Sequence, residues 1–297
     1  MVMKKKLSGV MPALVTPFDA KGDIDFKAFE KLLTMLRGAG VTGWVPCGST
    51  GEYSFMSDGE RDAVLKFVKD FANAGETLIA GTNAPHTKGV IANTKRAKDI
   101  GYDTVLLAVP FYTKPSQAEI IAHFKAVLDA VDINIVLYSY PGKDGVEIGF
   151  EVLDALADHP RVIGIKESSG VLQRAIEIFA RYEGRLQLVS GSDDAALDFM
   201  FWGADSWICG PANCMAKACC DLDRTFRAGD MKKARAQMAM LFTAMSILES
   251  GKFVQKVKYG CELQGIPVGE SRMPLGPLTA EEKAAFRAAM EPIINWA

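Results

Sequence analysis

Val162-Ile163-Gly164-Ile165-Lys166-Glu167-Ser168-Ser169-Gly170 is the stretch from which the chain is best organised. Branched apolar residues, a glycine and a polar end read as a buried β-strand. Into that run falls one lysine, a residue almost never fully buried unless paired or put to use. A strand of a half-polar sheet would tolerate it on the wet face. Its meaning therefore depends on what the other strands bring beside it.

Comparable apolar runs recur at intervals of roughly 20 to 35 residues, each followed by a polar or glycine-rich loop. They are Gly9–Val15, Val41–Cys47, Thr77–Gly81, Thr104–Pro110, Ile133–Tyr140, Val162–Lys166, Leu186–Ser190 and Asp205–Cys209. Between them, helical periodicity marks Phe26–Arg37, Asp58–Phe71, Gln117–Ala130 and Leu172–Arg181. Strands alternating with helices imply parallel βαβ units. Eight such runs in about 210 residues is the count of a TIM (β/α)8 barrel, with a doubly wound open sheet as the alternative α/β arrangement. After the eighth run only helices follow: Met215–Ala228, Met231–Ser250, Phe253–Leu263 and Ala280–Ile294. The expected organisation is a barrel over residues 1–212 and a C-terminal helical extension over 213–297.

The bulk properties suit this. The 297 residues are 49% hydrophobic and 24% charged, ordinary for a soluble globular chain with a large core. A formal net charge of −2 gives no electrostatic reason to expect nucleic acid or an anionic membrane as partner. The basic start Met1-Val-Met-Lys-Lys-Lys precedes an apolar run broken by Pro12, short for a secretory signal and without a small-x-small cleavage site. A first strand is the better reading, and nothing approaches the roughly 18 apolar residues of a membrane span. Cys47, Cys209, Cys214, Cys219, Cys220 and Cys261 form no CxxC pair. Reduced, mostly buried thiols in a cytoplasmic protein are expected. His86, His123 and His159 lie far apart, as surface or helix-end histidines would, and suggest no zinc site.

In such a barrel the chemistry sits at the C-terminal ends of the strands. The second run ends in Gly48-Ser49-Thr50-Gly51-Glu52, and the fourth in Pro110-Phe111-Tyr112. The fifth contains Tyr138 and leads to Ser139-Tyr140-Pro141-Gly142-Lys143; the seventh leads to Gly191-Ser192-Asp193-Asp194. Alternation along a strand puts Lys166 on one face with Gly164 and Ser168, and Tyr138 with Val136 and Tyr140. Glu167 then points away, towards the helices. At an ordinary pKa near 10.4 only about one lysine in a few thousand is neutral at pH 7, and desolvation moves that pKa down. The free amine can attack a ketone to form a Schiff base, an electron sink for making or breaking an adjacent C–C bond. Tyr138, Tyr112, Ser49 and Thr50 are the residue types for the proton relay this needs. Each has a plainer reading. Tyr138 could be a core tyrosine, GSTGE a turn and helix cap, and Asp193-Asp194 an N-cap for the helix through Trp202.

These residues, taken together, resemble the dihydrodipicolinate synthase / N-acetylneuraminate lyase family of class I Schiff-base aldolases. The similarity spans nearly the whole chain: Thr16-Pro17-Phe18, GSTGE, Pro110-Phe111-Tyr112, Tyr138 with Pro141, Lys166-Glu-Ser-Ser-Gly and Gly191-Ser-Asp-Asp. The resemblance implies that Lys166 forms an imine with pyruvate or another 2-oxo acid and that Tyr138 transfers protons. It implies that Ser49 and Thr50 hold the keto-acid carboxylate and join the relay, and that Tyr112 completes the relay from a neighbouring subunit. Ile208 would line the pyruvate pocket. Gly191 and Ser168 fall in the matching substrate loops. A homodimer or a homotetramer built as a dimer of dimers is implied, with no metal and no organic cofactor.

Departures from the family patterns bear on the second substrate. The synthase has Tyr-Asn-x-Pro-x-Arg-Thr-Gly where this chain has Tyr138-Ser-Tyr-Pro-Gly-Lys143-Asp-Gly145. Its arginine grips a substrate carboxylate, and Lys143 supplies a point charge without the bidentate fork. Ser49 and Phe111 replace the threonine and tyrosine usual in the synthase. GSTGE is common in neuraminate lyases, and Asp193 and Asp194 align with the acidic pair those lyases use for sugar hydroxyls. Ser168 stands where such lyases have threonine, and Cys209-Gly-Pro-Ala-Asn213 matches neither type. A 2-oxo sugar-acid dehydratase or aldolase, or a hydroxyproline-pathway cyclic-imine deaminase, would use the same lysine. A non-catalytic 2-oxo acid sensor is the reading from a different class.

Overall fold

The computed structural model describes residues 4–296; the N-terminal run weighed above as a signal begins outside them. In chain order the strands are β1 (Gly9–Pro12), β2 (Gly43–Trp44), β3 (Thr77–Leu78), β4 (Ala80–Gly81), β5 (Thr104–Ala108), β6 (Asn134–Ser139), β7 (Val162–Glu167), β8 (Gln187–Ser190) and β9 (Ser206–Cys209). The helices are α1 (Phe26–Ala39), α2 (Asp58–Phe71), α3 (Thr87–Ile100), α4 (Gln117–Ala130), α5 (Pro141–Asp144), α6 (Phe150–Leu156), α7 (Leu172–Tyr182), α8 (Ala196–Phe201), α9 (Ala212–Arg227), α10 (Met231–Glu249), α11 (Phe253–Leu263) and α12 (Ala280–Ile294). This is the (β/α)8 barrel class with helices alone after the last strand.

Helices α3 and α6 escape the periodicity, as does the single turn α5. The inner face of α3 mixes Val90 and Ala97 with Asn93 and Thr94, so its apolar stripe is diluted. Helix α6 has only seven residues, too few to establish a period. Helix α9 begins three residues before the expected Met215, which instead marks a kink with φ −142° and ψ 38°.

The chain forms two compact units. The first comprises Thr77–Ile208 and the N-terminal residues through Ser8. Its strands β4 to β9 pair in sequence order, all parallel. Both faces are covered, so β5 and β7 are buried at every position rather than alternately. Beneath β7 the Lys4 ammonium donates to the carbonyls of Ala157, Val162 and Arg185, satisfying groups at the strand's entry. The second unit comprises Gly9–Glu76 and the chain from Cys209 onward. In it Asn213 works as a buried clamp: its amide donates to Ala13 O and Gly210 O and accepts from Val15 N. Capping boxes start α2 (Ser57 with Glu60) and α12 (Thr279 with Glu282). All six cysteines are buried and outside any disulfide.

The charge next to Lys166 is handled within the first unit. Glu167 is fully buried on the opposite face of β7, as alternation requires. Its carboxylate accepts from Arg174 Nε at 2.7 Å and from Ser169 N at 2.7 Å. Arg174 also pairs with Glu147 at 3.1 Å and donates to Ile148 O, which ties the segment beyond β6 to β7. Arg174→Met would leave Glu167 buried without its counter-charge. It is expected to lower unfolding free energy by about 3–5 kcal/mol in denaturant titration.

Candidate active site

The register of β7 decides what Lys166 meets. It lies opposite Tyr138 of β6 and Val189 of β8. Lys166 and Tyr138 are both buried, at 6% and 7% exposure, with the lysine Nζ 4.4 Å from the centre of the tyrosine ring. Burial pushes the Tyr138 phenol well above its ordinary range, and the charges of Tyr140, Asp144 and Asp193 push the same way. A hydrogen bond with the Ser168 hydroxyl opposes them. The phenol therefore keeps its proton near neutral pH, as a proton donor must.

Ser168 is fixed by the loops around it: its hydroxyl donates to Gly191 O at 2.9 Å and its N–H to Ser139 O at 2.9 Å. Gly191 is there for space. A Cβ at this position would lie 2.1 Å from Ser168 Oγ and 2.7 Å from Lys166 Cγ, inside any permitted contact. Asp193 is buried and accepts from the Trp207 indole at 2.8 Å. Neither it nor Asp194 caps the following helix, since the N-cap of α8 is Ala195 and no side chain caps it. The N-cap reading is thereby corrected. Ile208 is buried on β9.

Beyond β6 the chain makes the single turn α5. Pro141 sets its first residue, and Gly145, at φ 78°, ends it in the left-handed region. Lys143 is exposed on this turn, its Nζ 5.0 Å from the Tyr140 ring centre; the Tyr138 and Tyr140 rings are 6.0 Å apart. The next residue, Asp144, was not among the expected site residues. Its Oδ2 is buried and accepts no hydrogen bond. Burial pushes its carboxyl up to about 7, against a backbone hydrogen bond at Tyr140 and the Lys143 charge. An acid directly after Lys143, in the loop following the Tyr138 strand, is the signal that would have found it. Tyr112 stands apart from this group: it projects into solvent at 91% exposure with φ 74°.

Ser49 and Thr50 belong to the second unit, on one 3-10 turn (Ser49–Gly51) after β2. Thr50 is buried and Ser49 half-buried. The turn is held at its C-terminal residue. Thr16 Oγ1 donates to Gly51 O at 2.7 Å, and a Cβ on Gly51 would come within 2.8 Å of Leu14 O. Glu52, at φ 58°, occupies a left-handed conformation uncommon for a non-glycine residue. Its buried carboxylate lies 2.7 Å from the buried Lys258 ammonium and accepts from Arg272 N at 2.9 Å. Lys258 and Arg272 each lie 4.3 Å from the Phe18 ring centre. The sequence gives the GSTGE glutamate no role of its own, and its partner 206 positions downstream is joined to it only by folding. His86 is the N-cap of α3, at a helix end as expected, and His159 lies half-buried in the bend beyond α6. His123 is instead buried within α4, against Thr87 at 2.9 Å. Among the described residues no group of three His, Cys, Asp or Glu could hold a metal ion, and no helix is long and apolar enough to cross a membrane.

The sequence and fold have known relatives. Residues 6–293 match the model of the dihydrodipicolinate synthetase family. A 4-hydroxy-tetrahydrodipicolinate synthase of Trichlorobacter lovleyi is 37% identical over 287 residues, 95% of this chain and 97% of the relative. One from Exiguobacterium is 34% identical over 96% of this chain and 97% of its own length. Among solved structures, a dihydrodipicolinate synthase of Bacillus anthracis superposes with a TM-score of 0.93 at 30% identity, covering 98% of this chain and 99% of that one. A pyruvate complex of the Acinetobacter baumannii enzyme gives 0.92 at 33% identity, with 96% and 98% covered. This chain therefore belongs to the dihydrodipicolinate synthetase family and is an enzyme of its pyruvate-dependent Schiff-base lyase and synthase class.

Proposed function

We propose that Lys166 is the imine-forming residue and Tyr138 the proton-transfer residue of this enzyme. The observation that carries the reading is their pairing on adjacent strands, both buried, with Nζ 4.4 Å from the phenol ring. The neutral amine adds to the keto carbon of pyruvate. Tyr138 passes a proton to the carbinolamine oxygen, water leaves, and the imine forms. Loss of a methyl proton then gives an enamine that adds to an aldehyde, and hydrolysis releases the product and the lysine. Run backwards, the same steps cleave a 2-oxo acid to pyruvate.

Ser49 and Thr50 take the keto-acid carboxylate and join the relay, a role that rests on the family resemblance of the GSTGE segment. Ser168, hydrogen-bonded to Tyr138, holds the phenol in place, with Gly191 making room for it. Ile208 lines the pyruvate end. Lys143, Asp193 and Asp194 are assigned to the second substrate. Residues 1–212 form the catalytic domain and 213–297 its helical extension. The exposed Tyr112 suits a residue completed by a partner copy, in a homodimer or homotetramer acting in the cytoplasm. Lys143 in place of arginine favours a second reading, in which the same imine serves dehydration, deamination or aldol cleavage of another 2-oxo acid.

Borohydride reduction in the presence of pyruvate is expected to add the mass of one reduced pyruvyl group to the peptide carrying Lys166. A protein that stays unmodified would sink the assignment. Tyr138→Phe should form the adduct more slowly and lose turnover by roughly 10²–10⁴-fold, the span typical of a removed acid–base group. Sedimentation at working concentration should give a dimer or tetramer; a fully active single subunit would contradict the role given to Tyr112.

A further inference from the structure

We propose that Asp144 is a specificity-determining residue: its carboxyl receives a hydroxyl group on the second substrate and turns away one that bears another carboxylate. The inference rests on the Lys166–Tyr138 reading and names what lies beside that pair.

Asp144 ends the turn Pro141–Asp144, which leaves the strand just beyond Tyr138, and its charge is felt at the Tyr138 phenol. The fully buried acids of this unit already hold partners from the chain: Glu167 accepts from Arg174 and Asp193, through one oxygen, from Trp207. Asp144 Oδ2 is buried with no hydrogen-bond partner from the chain. An unmet buried acceptor costs free energy, so a group that supplies the missing bond is bound preferentially.

The acid sits next to Lys143, so when ionised it cancels the one cation the turn offers. A second carboxylate then meets no net attraction, and lysine has no bidentate fork to compensate. A hydroxyl suits the site in either protonation state, because it can donate to a carboxylate or accept from a carboxylic acid. Burial has pushed this group up to about 7, so both states are populated near neutral pH. The groups that act on it are Lys143 on its own turn and Tyr140 just before that turn, and its charge reaches the Tyr138 phenol on β6, which Lys166 on β7 and Asp193 beyond β8 also face. The carbon chain of Lys114 packs over neighbouring Gly145.

The test measures kcat/KM for condensation of pyruvate with glyceraldehyde, neutral and hydroxylated, and with aspartate semialdehyde, which carries a carboxylate. The full-length protein is compared with Asp144→Asn and Asp144→Thr. The native enzyme should favour glyceraldehyde, and Asp144→Thr should move the ratio on the order of tenfold towards the semialdehyde. The native preference should also grow as pH rises through about 7, because the carboxylate that forms repels the semialdehyde. In Asp144→Asn it should not change with pH, which a merely structural role would not produce. Pyruvate–borohydride labelling of Lys166 separates the failures. No adduct in the native protein defeats the Schiff-base reading itself. Adducts in all three proteins with an unchanged, pH-independent ratio overturn the role of Asp144, as does a native enzyme that ignores glyceraldehyde. Loss of the adduct in both folded variants would also overturn it, since the residue would then serve imine formation and not selection.

Discussion

Two neighbouring charges on a strand buried along its whole length are the constraint around which the first unit is arranged. Lys166 and Glu167 follow one another on β7, and a strand's period of two sends them to opposite faces. Neither charge can be left uncompensated at that depth. Glu167 is answered by Arg174 from the next helix, which also grips Glu147 and Ile148 O beyond β6. The ion pair anchors the strand from behind and leaves the other face for the lysine. Pairing with Tyr138 in register, and a glycine at 191 where any side chain would strike Lys166, complete that face.

The second unit solves a different problem with the same means. A turn that presents hydroxyls must be stiff, yet its backbone passes through a left-handed glutamate. Glu52 is held there by Lys258 and Arg272, both stacked on Phe18. Desolvation lowers the Lys258 pKa and the Glu52 charge works against that shift. Such a buried pair contributes little net stability, and removing either partner is what costs. Its value is positional: Ser49 and Thr50 are offered in one geometry.

Much of this was legible in the chain. The runs around 9, 41, 77, 104, 133, 162, 186 and 205 are strands because short branched apolar stretches separated by turn residues have few other folded outcomes. Helices α4, α11 and α12 appear at the expected residues because an amphipathic period, with a Ser or Thr capping box in two of the three, is local information. The direction of Glu167 followed from alternation alone. Helix α3 was not legible, since its buried polar Asn93 and Thr94 are explained only by the carbonyls and hydroxyl they meet around Thr82 and Asn83.

The sequence by itself determined the fold class, the placing of a lysine in a buried strand, and the residue types available to work with it. These depend on periodicity and composition over a few residues. The tertiary structure decided which partner each buried charge receives: Glu52 with Lys258, Glu167 with Arg174, Asp193 with Trp207 and, for Asp144 Oδ2, none. Partnership in a desolvated interior depends on distances between residues far apart in the chain. A one-dimensional pattern carries no such distances.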